Sequence, residues 1–277
     1  MVRILVIAFV ALGVMLLPKT LHAQDEDHDH GDDQHGAADG HHGGFPEFVD
    51  VFFTHHAYLE RKLHLRFDAT VENEVNEFEE SAEMAWQFNR WLGGEIEVPL
   101  IQTDPDEGDG NSGIGDIEVA PIVSFYQNPE SMTILSVRSG FVLPTGDEEE
   151  GLGVNGWIWE PGFLLWQGYG ESRRGAIQAE LTYERFYASE EEDEEELVYN
   201  IAWSHWLRGN WIPIAELNGV TLLGEEHEED DTLISATLGF RYAFGNGQQW
   251  GAGVQFPISD SEAYDYRLVI GGIIHFN

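Results

Sequence analysis

From Ala57 to the C-terminal end, apolar and polar side chains alternate along the chain with period two. In YLERKLHLRFDAT, Leu59, Leu63, Leu65, Phe67 and Ala69 fall on one face, and Tyr58, Glu60, Lys62, His64, Arg66, Asp68 and Thr70 on the other, with Arg61 as the one charge on the apolar side. Such alternation predicts strands that bury one face. It recurs in EMAWQFN, where Met84, Trp86 and Phe88 oppose Glu83 and Gln87, and in EIEVPL, where Ile96, Val98 and Leu100 oppose Glu95 and Glu97. In DIEVAPIVSF, Ile117, Val119, Val123 and Phe125 oppose Asp116 and Glu118, and in AIQAELTYE, Ile177, Leu181 and Tyr183 oppose Gln178, Glu180 and Glu184. Twelve such segments begin near residues 57, 82, 93, 115, 132, 154, 175, 197, 210, 232, 247 and 264. Most run about 9–14 residues, at or above the ~9–11 that cross a bilayer when tilted.

The connections alternate between two kinds. NRW near Arg90, QNPE, GYGESRRG, LRGN and FGNGQ are short. ENEVNEFEES, QTDPDEGDGNSG, TGDEEEGLGVNG, SEEEDEEE, GEEHEEDD and SDSEAYD are longer, hold more than half of the 51 acidic residues, and contain no Lys or Arg. Every second connection of an up-and-down barrel lies at the same end, so the two kinds mark two ends, short turns at one and long loops at the other. The expected fold is all-β: a 12-stranded antiparallel up-and-down transmembrane β-barrel. Hydrocarbon leaves no partner for a free strand edge, so the sheet has to close. Trp86, Trp91, Trp157, Trp159, Trp203, Trp206, Trp211, Trp250 and Tyr242 are candidates for the two interfacial aromatic girdles. The competing fold is a soluble sandwich or lipocalin-like barrel, in which the apolar set would be the core. Strand length, one-sided acidity and tryptophans near strand ends favour the membrane form.

Composition narrows the function classes. A formal net charge of −38 excludes a nucleic-acid partner, which demands Lys and Arg near phosphates. With 12% aromatic and 42% hydrophobic residues the chain has enough apolar matter to fold, and with no cysteine it has neither disulfides nor thiolate chemistry. Residues 1–23, with Arg3, the apolar run Ile4 to Leu17 and Ala23 at the cleavage point, read as a signal peptide. Residues 24–50 read as a disordered, periplasmic His/Asp/Gly-rich tail and 51–277 as the barrel, placing the protein in the outer membrane of a Gram-negative bacterium. His28, His30, His35, His41 and His42, followed by His55 and His56, offer imidazoles for Zn²⁺, Cu²⁺ or Ni²⁺, though their spacing matches no structural zinc motif. The acidic loops offer carboxylates for Ca²⁺ or Mg²⁺, bridging to lipopolysaccharide phosphates.

The stretch SGIGDIEVAPIVSFYQ, then SVRSGFVLPTGDEEEGLGVNGW, resembles the outer-membrane proteins of the phenol-degradation MetA-pathway (transporter-like) family. The residues that carry it are Gly113, Gly115 and Asp116, then Leu143, Pro144, Thr145 and Gly146, then Gly151 and Gly153. The resemblance implies an outer-membrane channel-like protein associated with uptake of aromatic or other hydrophobic compounds, and it carries over no catalytic residue. The C-terminal strand YRLVIGGIIHFN, with Phe276 penultimate, resembles the signal read by the barrel-assembly machinery.

The polar face of each strand would line the lumen. Candidates there are Glu60, Lys62, His64, Arg66 and Asp68 from the first strand, then Glu83, Glu95, Glu97, Asp116 and Glu118. Arg138, Glu160, Glu180, Glu184, Arg241 and Arg267 complete the set. Such side chains set ion selectivity in a pore, and the acidic mouth is expected to favour cations. No G-x-S-x-G motif surrounds Ser204 or His205, and strand neighbours point to opposite faces, so no enzyme activity is expected. Two functions remain open: passive uptake of a small solute with no required cofactor, or a closed barrel anchoring a metal-binding tail.

Overall fold

The computed structural model describes residues 44–71, 75–105, 110–170, 173–188, 194–223, 232–245, 247–259 and 264–276. The expected signal peptide, the tail histidines His28 to His42 and most acidic loop tips lie outside them. The strands are β1 (Lys62–Val71), β2 (Val75–Gln87), β3 (Leu92–Pro105), a short β4 (Ser112–Ile114), β5 (Ile117–Asn128), β6 (Thr133–Leu143) and β7 (Gly156–Tyr169). They continue as β8 (Gly175–Ala188), β9 (Glu195–His205), β10 (Trp211–Leu223), β11 (Thr232–Phe244), β12 (Gln248–Pro257) and β13 (Tyr266–His275). Each long strand pairs antiparallel with its chain neighbours, and β1 pairs with β13 from Lys62↔His275 to Val71↔Tyr266, closing a ring of twelve. The short β4 sits outside the ring order, pairing only with the loop end of β3.

The wall is apolar outside and, apart from two apolar clusters, polar inside. Phe163, Leu238, Phe125, Ile201, Ile270 and Leu181 are exposed, whereas Lys62, Arg138, Gln178, Thr237, Arg241 and Gln249 are buried. A water-soluble barrel has the opposite arrangement, so the outer surface is the one that meets lipid. Aromatic side chains gather at both rims. Trp157 stacks on Tyr187 at 4.2 Å near the long loops, and Trp211, Tyr242 and Phe244 form a chain of 5.0 Å contacts near the short turns. Arg61, the charge on the apolar face, lies 4.9 Å over the Trp86 ring and reaches the Gln87 carbonyl, the position of a cation that extends its head to the interface. Trp206 departs from the girdle expectation: it packs against an interior apolar cluster.

Two strand starts differ from the sequence pattern by five residues or more. The first strand starts at Lys62 instead of residue 57, because Ala57 and Tyr58 are both buried in an interior cluster. The second starts at Val75 instead of 82, inside the acidic stretch expected to be loop. There Phe78 stacks on Phe67 at 6.4 Å and Glu79 lies 3.4 Å from Arg66, so cross-strand partners hold an acidic segment in the wall.

Candidate functional site

The lumen is occupied by the chain itself. Residues 45–60 run inside the barrel without joining its ladder, and Phe45, Phe48, Val49 and Asp50, expected in the tail, are buried there. An irregular backbone at membrane depth needs a partner for each polar group, and the wall side chains supply many of them. Glu216 of β10 accepts the backbone N–H groups of Phe52 (2.5 Å), Phe53 (3.2 Å) and Thr54 (3.0 Å) and the Thr54 hydroxyl (2.8 Å). Gln178 donates to the Val49 carbonyl, Gln249 to Phe48, Arg241 to Val51 and Ser136 to Ala57.

Apolar side chains complete the seat. Phe45, Phe48, Ala57 and Tyr58 pack with Ile134, Leu164, Trp166 and Ala176, and Val49, Val51 and Phe52 with Ala202, Ile212, Ile214, Ala243 and Val269. Phe48 stacks flat on Tyr58 at 4.2 Å and meets Trp166 edge-on at 5.1 Å. The Phe52 ring fits where the wall has glycine: a Cβ on Gly239 would stand 2.5 Å from its Cε2. Arg241 covers the same ring at 4.9 Å. Most of these wall residues sit near the short turns, so the segment fills that end of the barrel.

Three charged groups of the segment engage wall side chains, two of them expected lumen residues, Lys62 and Glu180. Asp50 accepts from Lys62 Nζ at 2.5 Å and from the Tyr58 hydroxyl. Glu60 lies 3.2 Å from His275 Nε2. His55, expected among metal ligands, instead pairs with Glu180: its Nδ1 is 2.7 Å from Oε1 and its backbone N–H is 3.0 Å from Oε2, while Thr182 and Asn200 hold the same carboxylate. Burial and the Arg138 charge push the His55 imidazole down, and the Glu180 carboxylate more than offsets both, raising it to about 10. The imidazole is therefore protonated, and the pair charged, at neutral pH.

The remaining candidates form two networks on the wall. Arg138, 3% exposed, bonds Glu95 through Nε at 2.6 Å, contacts Glu118 through Nη2, and reaches Glu160 at 3.4 Å. Arg66 bonds Asp68 at 2.6 Å and lies 3.4 Å from Glu79 and 3.6 Å from Glu97. Arg267 donates to Thr70 and lies over the Phe53 and Tyr264 rings. His64 Nδ1 lies 3.9 Å from Glu83. Glu184 faces Glu196 across the β8–β9 pair, nearer the loop end.

Asp116 stands apart from these networks. It lies between β4 and β5, and its Oδ1 accepts the N–H groups of Thr145 and Gly146 while Oδ2 accepts that of Val154. Thr145 donates to the Gly115 carbonyl and accepts from the Ile117 N–H. The two halves of the GxGD…LPTG motif thus bind each other. Among its glycines Gly151 takes positive φ, at 70°, but Gly113 and Gly146 serve close approach: a Cβ on either would stand within 3 Å of Leu152. Pro144 follows the last residue of β6 and cannot continue the ladder. Asp116→Ala would take the acceptor from three N–H groups that lie at or near the surface, a loss of about 0.5–1.5 kcal/mol for each hydrogen bond. The expected result is rapid limited proteolysis within residues 145–154 while the barrel stays intact; unchanged resistance would contradict this clamp role.

Sequence reasoning missed Glu216, Gln178 and Gln249 as holders of the inner segment. The one signal was FPEFVDVFF, an apolar run ahead of the first strand and too rich in aromatics for a solvated tail. Ser204 faces the interior, whereas His205 is half-buried on the other face with Nδ1 3.2 Å from the Tyr169 hydroxyl, so the two do not meet as a catalytic pair.

A closed twelve-strand ring with a lipid-facing apolar belt and a polar interior defines an outer-membrane β-barrel. Residues 48–264 match the family model described as "Putative MetA-pathway of phenol degradation", and the chain belongs to that family. The match begins within the inner segment. No curated protein matches the sequence. Among solved structures, an outer-membrane channel from Pseudomonas putida F1 superposes with a TM-score of 0.64 at 13% identity, over 83% of this chain and 100% of that one. The NanC porin gives 0.57 at 6% identity over 78% and 100%, and the KdgM porin, solved with disordered oligogalacturonate, 0.50 at 11% identity over 78% and 99%. At these identities the likeness is one of fold.

Proposed function

We propose that the protein is a channel for passive uptake of small solutes across the outer membrane, held shut by residues 45–60 and opened when they leave the lumen. The observation that carries this reading is the way the segment is held. Side-chain hydrogen bonds, ion pairs and small apolar clusters seat it, and no strand ladder does, so it is a separable occupant of a wall that is closed without it. The family description supports an aromatic solute, and a lumen lined with Arg66, Arg138, Glu97 and Glu118 favours one that carries a polar or charged group.

The acidic mouth gives the open channel a cation preference, through focused negative potential from loops that hold most of the carboxylates. The chain acts without a catalytic step, its N-terminal tail is periplasmic, and its loops meet lipopolysaccharide through divalent cations. Conductance of the refolded mature protein in a planar bilayer, under a salt gradient, tests the reading. Brief openings with a reversal potential on the cation side are expected; a folded barrel that never conducts under any voltage, or that prefers anions, overturns it. The alternative of a closed anchor for a metal-binding tail predicts loss of phenotype when residues 24–43 are deleted, whereas a channel keeps its solute uptake.

A further inference from the structure

A ring nitrogen of His56, an oxygen of Glu83 and an oxygen of Glu95 lie within 4.8 Å of one another. The three come from separate elements: the inner segment, β2 and β3. His56 is 8% exposed, its Nδ1 is 2.9 Å from the Tyr58 carbonyl, and its ring stacks on Tyr58 at 4.6 Å. That hydrogen bond places a proton on Nδ1, so Nε2 is the ring nitrogen available to a ligand. Nε2 is buried and has no hydrogen-bond partner, and the same holds for Glu83 Oε1. Glu95 gives Oε1 to Arg138 Nε at 2.6 Å and contributes one carboxylate oxygen to the cluster.

We infer that His56, Glu83 and Glu95 bind a divalent first-row transition cation of the Zn²⁺ type and that this ion ties the inner segment to the barrel wall. A metal-ligating imidazole commonly donates its other N–H to a backbone carbonyl, which fixes tautomer and ring orientation. His56 has that arrangement already. One imidazole and two carboxylates form a nitrogen and oxygen donor set suited to Zn²⁺, Mn²⁺ or Co²⁺, with positions left for water. Zinc bonds of about 2.0–2.1 Å place donor atoms roughly 3–4 Å apart, a contraction that rotation of the two glutamate side chains supplies. Around the site stand Lys62, bound to Asp50, Arg138, bound to Glu95, and the His64 ring, with Nδ1 3.9 Å from Glu83. A cation here completes the unpaired atoms of two elements at once, so it stabilises the segment in place. As a latch it rests on the channel reading above; as a binding site it does not.

The test uses the full mature chain with His28, His30, His35, His41 and His42 replaced by serine, which removes competing tail imidazoles. Co²⁺ titration into the refolded protein, followed by visible d–d absorption and equilibrium dialysis, is expected to show one equivalent that Zn²⁺ displaces. His56→Gln and Glu83→Gln should each abolish it, and heat-resistant migration of each variant verifies its folding. No stoichiometric equivalent in the folded chain, or an equivalent that survives both substitutions, overturns the site. In bilayers, micromolar Zn²⁺ should lower the opening frequency and a chelator restore it. A channel that conducts but ignores Zn²⁺ overturns the latch, whereas a silent barrel that still binds one Co²⁺ counts against the channel reading alone.

Discussion

Glu216→Ala is expected to turn a barrel that opens rarely into one that conducts for much of the time. The carboxylate gathers three consecutive backbone N–H groups and one hydroxyl of the inner segment at a sequence separation of 162–164 residues. Alanine leaves those donors unpaired only while the segment is seated, because the vacated segment finds water. A buried donor left unpaired costs about 1–3 kcal/mol, and each 1.4 kcal/mol is about tenfold in a two-state equilibrium. The open fraction should therefore rise about 10–100-fold, read as opening frequency in single-channel recordings. Deleting residues 45–58 should raise it further, and a folded deletion variant with wild-type conductance would show that something else closes the lumen. The His55–Glu180 pair adds a pH dependence of stated sign. Its contribution is full below the ordinary histidine range near 6.5 and is lost as pH rises through about 10. Opening should thus increase between those limits, and His55→Gln should flatten that limb.

Arg138→Met is expected to destabilise the barrel more than any other single wall substitution. The guanidinium is the shared partner of Glu95, Glu118 and Glu160, contributed by β3, β5 and β7, and its side chain is nearly inaccessible. Removing the cation leaves three carboxylates together in the interior. Breaking a buried pair in this way costs about 3–5 kcal/mol. Urea-induced unfolding in lipid vesicles measures it as a lowered midpoint at unchanged slope. Converting Glu95, Glu118 and Glu160 to Gln in the Arg138→Met background should recover most of the loss, since the penalty is that of uncompensated charge. A change under about 1 kcal/mol would mean that water screens this part of the lumen as it screens a surface pair.

The wall was legible in the sequence for a simple reason. A strand shows its two environments at alternate residues, so Ile96 and Leu100 outside and Glu95 and Arg138 inside report their faces without reference to any partner. The alternation of short turns with acidic loops then ordered the strands around the ring. Near the rims the signal weakened. Val75 to Ser81 look like loop because acids dominate them, yet Phe67 and Arg66 on β1 keep them in register. The GxGD and LPTG stretches were visible as a pattern, but not that Asp116 clamps the second to the first across about thirty residues.

By itself, then, the sequence determined a barrel, which face meets lipid, and which end carries the acidic loops. All of these follow from local periodicity and charge. Only the tertiary structure decided what fills the barrel. FPEFVDVFFTHHAY has no period that names its environment, and its partners Glu216, Glu180, Gln178 and Gln249 are more than a hundred residues away in the chain. A hydrogen bond formed across a closed lumen depends on the curvature that closure imposes, and no stretch of sequence carries that curvature alone.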